Sequence, residues 1–500
     1  MRELRDDQND AIDFLRGSIA GGHRRVVMQA PTGFGKTVLA AQLVANARDK
    51  GKRVIFTVPA LSLVDQTVER FGEHGIRDVG VIQADHILTD WSKPVQIASV
   101  QTLQRRKRIP DADLVLIDEV HKWFKFYNKW LDDPAWENVP FIGLSATPWT
   151  KGLGKYFTGF VRATTTQKLI DAGRLSPFRV FAPTHPDLSG VHTVAGDYHE
   201  GELSEVMAQK FLVADIVQTW LEKGQWRPTL CFAVDRKHAH ALEEQFKAAG
   251  VPTAYQDAYT TDDERREIRK GFHNGTIKVV VNIGTLTTGV DWDVRCIIVA
   301  RPTKSEMLFV QIIGRGLRTA DGKDDLLVLD HSDNHLRLGF VTDIDASHTQ
   351  LDDGKPKSEV TGQDKTKLPR ECPVCSYLKP PHMLKCPNCG HSAAEKREKR
   401  EGVEVKDGHL EELKAPQASM AEKIAFLAEL KRYERDKGYK PGWAANKYRE
   451  KHKVWPANSM NDIPPAAEIS PSTASWIKSR QIAWAHSKGR RFGGGFKKAA

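Results

Sequence analysis

The residues best suited to chemistry begin at Ala30-Pro31-Thr32-Gly33-Phe34-Gly35-Lys36-Thr37. Arg25-Val26-Val27-Met28-Gln29 reads as a strand before them, and Val38 to Arg48 reads as a helix after them. A glycine-bearing turn in that setting aims backbone N–H groups at phosphate oxygens, over the positive end of a helix. Gly33 and Gly35 permit close backbone approach, Lys36 reaches the β- and γ-phosphates, and the Thr37 hydroxyl is a ligand for Mg²⁺. Ala30 stands where the usual pattern has its first glycine.

Leu116-Ile117-Asp118-Glu119-Val120-His121 places two carboxylates just past a strand of buried type. Phosphoryl transfer needs a metal ion, positioning, and a group that orients the nucleophile. Asp118 suits the Mg²⁺ and Glu119 suits the attacking water. An ordinary strand end is the plain alternative, and the phosphate loop upstream argues against it. Ser145 and Thr147 are not read as nucleophiles, because no His and acid are spaced around Ser145 as a serine hydrolase requires.

Cys372-Pro373-Val374-Cys375 and Cys386-Pro387-Asn388-Cys389 form two Cys-x-x-Cys knuckles, with Gly390 placed for a tight turn. Four thiolates at this spacing build a closed tetrahedral zinc ribbon. A redox pair and an iron–sulfur site are the rivals. So short a segment cannot bury a core, and metal would replace one. Its role reads as structural, with a grip on DNA or on a partner as the functional alternative. Cys231 and Cys296 fall in strand patterns and read as core.

The positioning elements follow a βαβ rhythm. Strands are expected at Arg53–Val58, Leu114–Ile117 and Phe141–Leu144, and again at Thr229–Phe232, Lys278–Val281, Cys296–Ala300 and Leu326–Leu329. Such a rhythm implies parallel sheets with helices on both faces. The fold class expected is therefore α/β, with two tandem parallel-sheet domains over 1–165 and 175–345. A linker is expected over 346–368, the ribbon over 369–392, a charged linker over 393–415 and a basic, mainly helical region over 416–500. In that last region Ile424, Leu427 and Leu430 share one side of a 419–437 helix that Gly438 stops, and Ser470-Pro471 starts another.

Five hundred residues suit about three domains. Hydrophobic residues make up 40% and charged residues 28%, which argues against wholesale disorder. No apolar run approaches a membrane span, no secretory signal is read at the N-terminus, and six cysteines are too few for a disulfide scaffold. The chain reads as soluble and cytoplasmic. Residues 1–350 hold 44 Lys+Arg and 45 Asp+Glu, residues 351–430 hold 14 of each, and residues 431–500 hold 16 and 5. The entire excess of +10 thus falls in the last 70 residues, which points to a polyanion or, more plainly, to a solubilising tail. Trp443, Lys447, Tyr448, Trp455, Trp476, Arg480 and Trp484 mix aromatic and basic side chains there, either to pack a small domain or to bind nucleic acid. Arg105-Arg106-Lys107-Arg108 is a second basic run, a solvated loop or a phosphate contact.

Asp118-Glu119-Val120-His121 resembles the DExH box of superfamily 2 helicases and translocases, and that family's other motifs follow in order. Arg5-Asp6-Asp7-Gln8 is similar to its glutamine motif, Val58–Gln66 to motif Ia, Ser99-Val100-Gln101-Thr102-Leu103 to motif Ib, and Ser145-Ala146-Thr147-Pro148 to motif III. Gly284–Asp291 resembles motif V and Gln311–Arg318 motif VI. The resemblance covers about residues 1–340 and leans towards phage and type III restriction-subunit helicases. It implies RecA-like domains with ATP between them, and Arg5 and Gln8 at the adenine. It also implies Gln311, Arg315 and Arg318 acting from the second domain, with Gly289 and Asp291 sensing the nucleotide. Arg315 and Arg318, three apart, would share a helix face. Gln101, Thr102, Thr285 and Thr288 would touch the sugar–phosphate backbone, which carries no sequence information. The function expected is an ATP-dependent helicase or translocase, most simply on DNA. The alternatives are the motor subunit of a restriction complex, or an ATP-switched clamp that never unwinds. A protein partner docking on the tail is a further expectation.

Overall fold

Continuous aliphatic and β-branched runs form strands buried on both faces, the composition of a parallel sheet covered by helices. The computed structural model of the chain describes residues 3–106, 108–287, 291–354, 368–392, 420–452, 454–457, 460–474, 476–478 and 480–481. Its first lobe holds β1 (Arg25–Gln29), β2 (Val54–Val58), β3 (Val79–Ile82), β4 (Val95–Ser99), β5 (Leu114–Asp118), β6 (Phe141–Ser145) and β7 (Gly159–Arg162). All pair in parallel, in the order β3-β4-β2-β5-β6-β1-β7. Because β6 lies between β1 and β5, the phosphate loop and the carboxylate pair leave the sheet at one edge. Ligands of such sheets gather at the carboxyl ends of the strands.

The second lobe holds β8 (Phe178–Phe181), a small hairpin of β9 (Thr193–Val194) and β10 (Asp197–Tyr198), then β11 (Thr229–Phe232), β12 (Thr253–Gln256), β13 (Val279–Asn282), β14 (Cys296–Val299) and β15 (Leu326–Asp330). Apart from the hairpin, these form a parallel six-stranded sheet in the order β12-β13-β11-β14-β15-β8. Sequence periodicity leaves β3, β4, β7, β8 and β12 unmarked. These runs are interrupted by glycine or polar residues, such as Gly80, Gln96, Gly159 and Arg179, and lack the unbroken apolar stretch of β5 or β13.

The 346–368 linker needs correction. Val341–Ser347 is a helix, and the chain after it runs back onto the first lobe. The Asp345 carboxylate accepts from Gln29 Nε2 and from the Thr166 N–H, each at 2.7 Å. The His348 ring stacks on Trp149 at 4.0 Å, and its Nε2 lies 2.8 Å from Glu306. The Asp352 carbonyl accepts from the Gly154 N–H at 2.8 Å. Isolated polar residues look like linker in sequence because their partners lie far away along the chain. Residues 355–367 and 393–415 fall outside the described residues.

Arg370–Glu371 and Leu378–Lys379 form a two-stranded antiparallel unit, and Tyr377 bridges to Phe181 of the edge strand β8. Their rings meet edge-on at 5.4 Å. The ribbon is therefore seated on the second sheet.

The described residues between 420 and 481 belong to a second, separate unit. Its helices Met420–Asp436 and Trp443–His452 bury Phe426, Leu427, Leu430, Ala444 and Tyr448 with Met460 and Ile477. Burying each large apolar side chain contributes roughly 1.5–3 kcal/mol. Leu427 and Leu430 face inward as their spacing predicts, but Ile424 is 38% exposed. Phe426 sets the buried stripe, and two residues along a helix points to the other side. Gly438 follows the first helix at φ +66°, the left-handed stop its position predicts. Ser470 Oγ accepts from the Thr473 N–H at 3.3 Å, as a helix cap does. Trp443 and Trp476 pack, against Tyr439 and Phe426 respectively. Trp484 lies outside the described residues. No helix among the described residues is long and apolar enough to cross a membrane.

Candidate active site

The phosphate loop is shaped by two glycines in left-handed backbone, Gly33 at φ +83° and Gly35 at φ +94°. A Cβ at Gly33 would stand 2.5 Å from the end of the Leu175 side chain, and one at Gly35 would stand 2.6 Å from Gln8 Nε2, so a side chain at either position would also have to displace a neighbour. Gly35 caps the helix Lys36–Arg48, whose first N–H groups have no partners within that helix. Pro31 and Thr32 lead into this turn, and Ala30 and Phe34 are buried beneath it. The Phe34 carbonyl accepts from Gln8 Nε2 and Arg5 Nη2, both at 2.8 Å. The Arg5–Gln8 segment thus braces the loop from behind.

Lys36 Nζ lies 3.4 Å from Asp118 Oδ1 and also pairs with Glu119. Burial works against its charge, but the two carboxylates raise its pKa above the ordinary value. Burial likewise raises Asp118. Burial opposes the ionised form of Glu119 too, yet Lys36, His121 and Arg315 hold that carboxyl below the usual range. Glu119 leaves β5 at φ +48°, a left-handed backbone that side chains of its type seldom adopt. Strain of this kind is kept where surroundings over-determine it, and here it turns the carboxylate towards the cleft.

His121 is the functional residue that pattern reading under-weighted. Its Nδ1 lies 2.8 Å from Ser145 Oγ and 3.3 Å from Glu119 Oε2. Its Nε2 lies 3.0 Å from Gln311 Nε2, and that amide also donates to Thr147 Oγ1 at 3.0 Å. Burial pushes the imidazole down to about 4, so it is neutral near pH 7. With the Gln311 amide donating to Nε2, the ring proton rests on Nδ1, towards Glu119 and Ser145. The DExH box, motif III and the second lobe thereby share one hydrogen-bonded chain. Its signal in sequence was the box's fourth letter, whose partners lie 24 and 190 residues away.

Arg315 and Arg318 do not share a helix face. The helix ends at Gly314, Arg315 follows as its cap, and Arg318 forms a bridge with Leu175. Gly316 follows, packed closely against Leu326 and Ile297. Both arginines still line one cleft of about 380 Å³ with the phosphate loop, Asp118, Glu119 and Gln311. Arg315 is 8% exposed, and burial beside Arg318 pushes it down to about 10, which leaves it cationic at neutral pH. Arg318 Nη1 holds Asp291 Oδ1 at 2.6 Å, while Arg70 of the first lobe approaches the other oxygen at 3.4 Å. Arg70 lies one helical turn beyond Gln66 of motif Ia, which was the only hint of it in sequence.

The four backbone-contact candidates are less concentrated. Gln101 donates to the Pro59 carbonyl at 2.7 Å and accepts from Ser99, so its amide ties motif Ib to motif Ia. The Thr102 N–H donates to Ser99 Oγ at 3.4 Å, and the Thr285 hydroxyl is buried. Thr288 and Gly289 lie outside the described residues. In the basic run, Arg106 and Arg108 both lie over the Trp91 ring.

Cys372, Cys375, Cys386 and Cys389 bring their sulfurs within 4.8 Å of one another, the one such cluster among the described residues. The Cys372–Cys389 and Cys375–Cys386 pairs are each 3.7 Å apart. At a Zn–S length of about 2.3 Å, sulfurs at the corners of a tetrahedron stand roughly 3.8 Å apart. Ser376 and Gly390 close the two knuckles in matching left-handed backbone. Cys231 and Cys296 are fully buried in the second sheet, and burial raises both thiols.

Residues 1–150 match the family model for the type III restriction enzyme res subunit, and residues 212–320 match the helicase conserved C-terminal domain. A "51.5 kDa protein" of a Lactococcus phage (isolate 7-9) is 27% identical over 388 residues, covering 75% of this chain and 80% of its own. The "Putative ATP-dependent helicase IRC3" of Saccharomyces cerevisiae is 31% identical over 360 residues, covering 65% of this chain. The match spans only 51% of that relative's length. Among solved structures, a fragment of "a putative HsdR subunit of a type I restriction enzyme" from Vibrio vulnificus YJ016 superposes with a TM-score of 0.54 at 20% identity. That superposition covers 71% of this chain and 68% of that one, and it supports the two-lobed fold.

Proposed function

Since this chain belongs to the superfamily 2 helicases, with two lobes of RecA-like type and restriction-subunit relatives, we propose that it is an ATP-driven motor acting on DNA. The observation that carries this reading is the cleft itself. Lys36, Asp118 and Glu119 on one lobe face Gln311, Arg315 and Arg318 on the other. In this reading the loop from Ala30 to Thr37 cradles the phosphates and Lys36 moves from the carboxylates to the phosphate oxygens. A bound Mg²⁺, held by Thr37 and Asp118, would offset phosphate charge. Glu119 orients water, with His121 fixing its carboxylate. Arg315 and Arg318 stabilise charge that develops on the transferring group, which makes hydrolysis depend on lobe closure. Asp291, bridged to Arg70 and Arg318, registers that closure. Of the four backbone-contact candidates, Thr102 is the one offered to the DNA backbone, while Gln101 holds motif Ib against motif Ia, and the basic C-terminal unit adds affinity or docks a protein partner.

ATPase stimulation by single-stranded DNA, duplex DNA, forked DNA and RNA tests the reading. DNA is expected to raise turnover above basal and RNA to do so less. Stimulation by RNA alone would overturn the DNA assignment. DNA binding without stimulated turnover would favour the clamp. The restriction-motor alternative draws on the match of residues 1–150 to a restriction-enzyme subunit.

The four cysteines hold a structural zinc ion in this reading. Elemental analysis of the purified protein is expected to find one zinc per chain, and substitution of Cys372 or Cys386 by Ser to abolish it. An iron–sulfur chromophore in its place would remove zinc from the account.

A further inference from the structure

The C-terminal unit encloses its core with one side of the Trp443–His452 helix, where Ala444 and Tyr448 are buried. Arg449 points elsewhere. Its guanidinium lies 4.6 Å from the centre of the Trp455 ring. Trp455 is 52% exposed, and the neighbouring Val454 is 54% exposed. The other tryptophans described in this unit are packed, so Trp455 stands apart as an indole with one face backed by a cation and the remainder open to water. The surrounding sequence from Lys447 to Lys453 holds four basic residues and one acidic residue, Glu450. Glu450 is paired with Lys447 at 2.6 Å, which leaves little local negative charge to repel a polyanion.

We propose that Arg449 and Trp455 form a stacking site for an unpaired nucleobase, with Arg449 also engaging a neighbouring phosphate. An open indole face accepts any base, since every base has a π-face, and a guanidinium beside it serves both stacking and phosphate. Bases within a duplex are already stacked on one another, so the ligand is single-stranded nucleic acid. This site rests on the reading of the chain as a nucleic-acid motor. It gives that motor a hold on the separated strand outside its ATP-gated lobes.

The test uses the full-length protein and a fluorescent oligo-dT at several salt concentrations, with basal ATPase and thermal melting measured alongside. Trp455→Ala is expected to weaken binding by about 5-fold to 150-fold, the range for loss of one stacked base. Its salt slope should not change, because no phosphate contact is lost. Trp455→Phe should restore most of the affinity. Arg449→Ala should weaken binding and flatten the log–log salt slope by about 0.7, the value for one phosphate of a single strand. Basal ATPase and melting should match the parent for all three. If the parent binds oligo-dT and Trp455→Ala binds it equally well, the stacking site is wrong and the exposed indole belongs to a protein contact. Equal loss of affinity in the Phe and Ala variants also overturns stacking. If the parent itself binds no nucleic acid, the motor reading fails instead.

Discussion

A Glu119→Gln variant is expected to keep ATP bound and to lose turnover by about 10²–10⁴-fold, the usual contribution of a positioned general base. Glutamine keeps the size and the hydrogen-bonding reach of the side chain but not its charge. Lys36 stays free to meet the phosphates, and Asp118 and Thr37 are untouched, so nucleotide affinity should hold or tighten. What is lost is the acceptor that Lys36 and Arg315 keep ionised despite burial. Nucleotide binding followed by a labelled ATP analogue, with single-turnover hydrolysis measured in parallel, separates the two effects. Hydrolysis near the parent rate would assign the catalytic carboxylate elsewhere. Lys36→Ala is expected to differ in kind, weakening binding and turnover together.

Arg315→Ala and Arg318→Ala should each reduce turnover by about 10³-fold or more if either serves as a charge-stabilising finger. ATP affinity should change little, since these groups act mainly on the transition state. The two effects need not add, because residues that act as one unit are grossly non-additive. Arg318 has a second duty in the pairing with Asp291 and Arg70, so its loss should also loosen the closed form of the two lobes. Steady-state and pre-steady-state kinetics of the single and double variants decide this. Normal turnover in both single variants would mean that the second lobe does not complete the site.

Much of the site was legible because it is local. The phosphate loop, the carboxylate pair and the cysteine knuckles each occupy a few consecutive residues, and their chemistry dictates both type and spacing. Unbroken aliphatic runs such as Leu114–Ile117 name their strands for the same reason. Strands of similar length whose runs are broken by glycine or polar residues, such as β7 and β12, carry no such pattern. The segment after Asp345 looks like a linker in sequence because His348 and Asp352 find Trp149, Glu306 and Gly154 only through the fold. Spacing puts Arg315 and Arg318 on one helix face, whereas the helix ends at Gly314 before either is reached.

By itself, then, the order of residues determined the α/β class, the tandem lobes, the glycine-bearing loop between strand and helix, and a cluster of four cysteines spaced as a metal site would need. Each depends on neighbours within a few positions, where hydrogen-bond geometry and ligand spacing leave few solutions. Only the tertiary structure decided that His121 joins Glu119 and Ser145 to Gln311, that Asp291 is shared by arginines of both lobes, and that Trp455 stays in water while Trp443 and Trp476 are covered. Those contacts span tens to hundreds of residues. Side-chain type sets what such groups can bond to, but which partner arrives is set by how the sheets and helices pack.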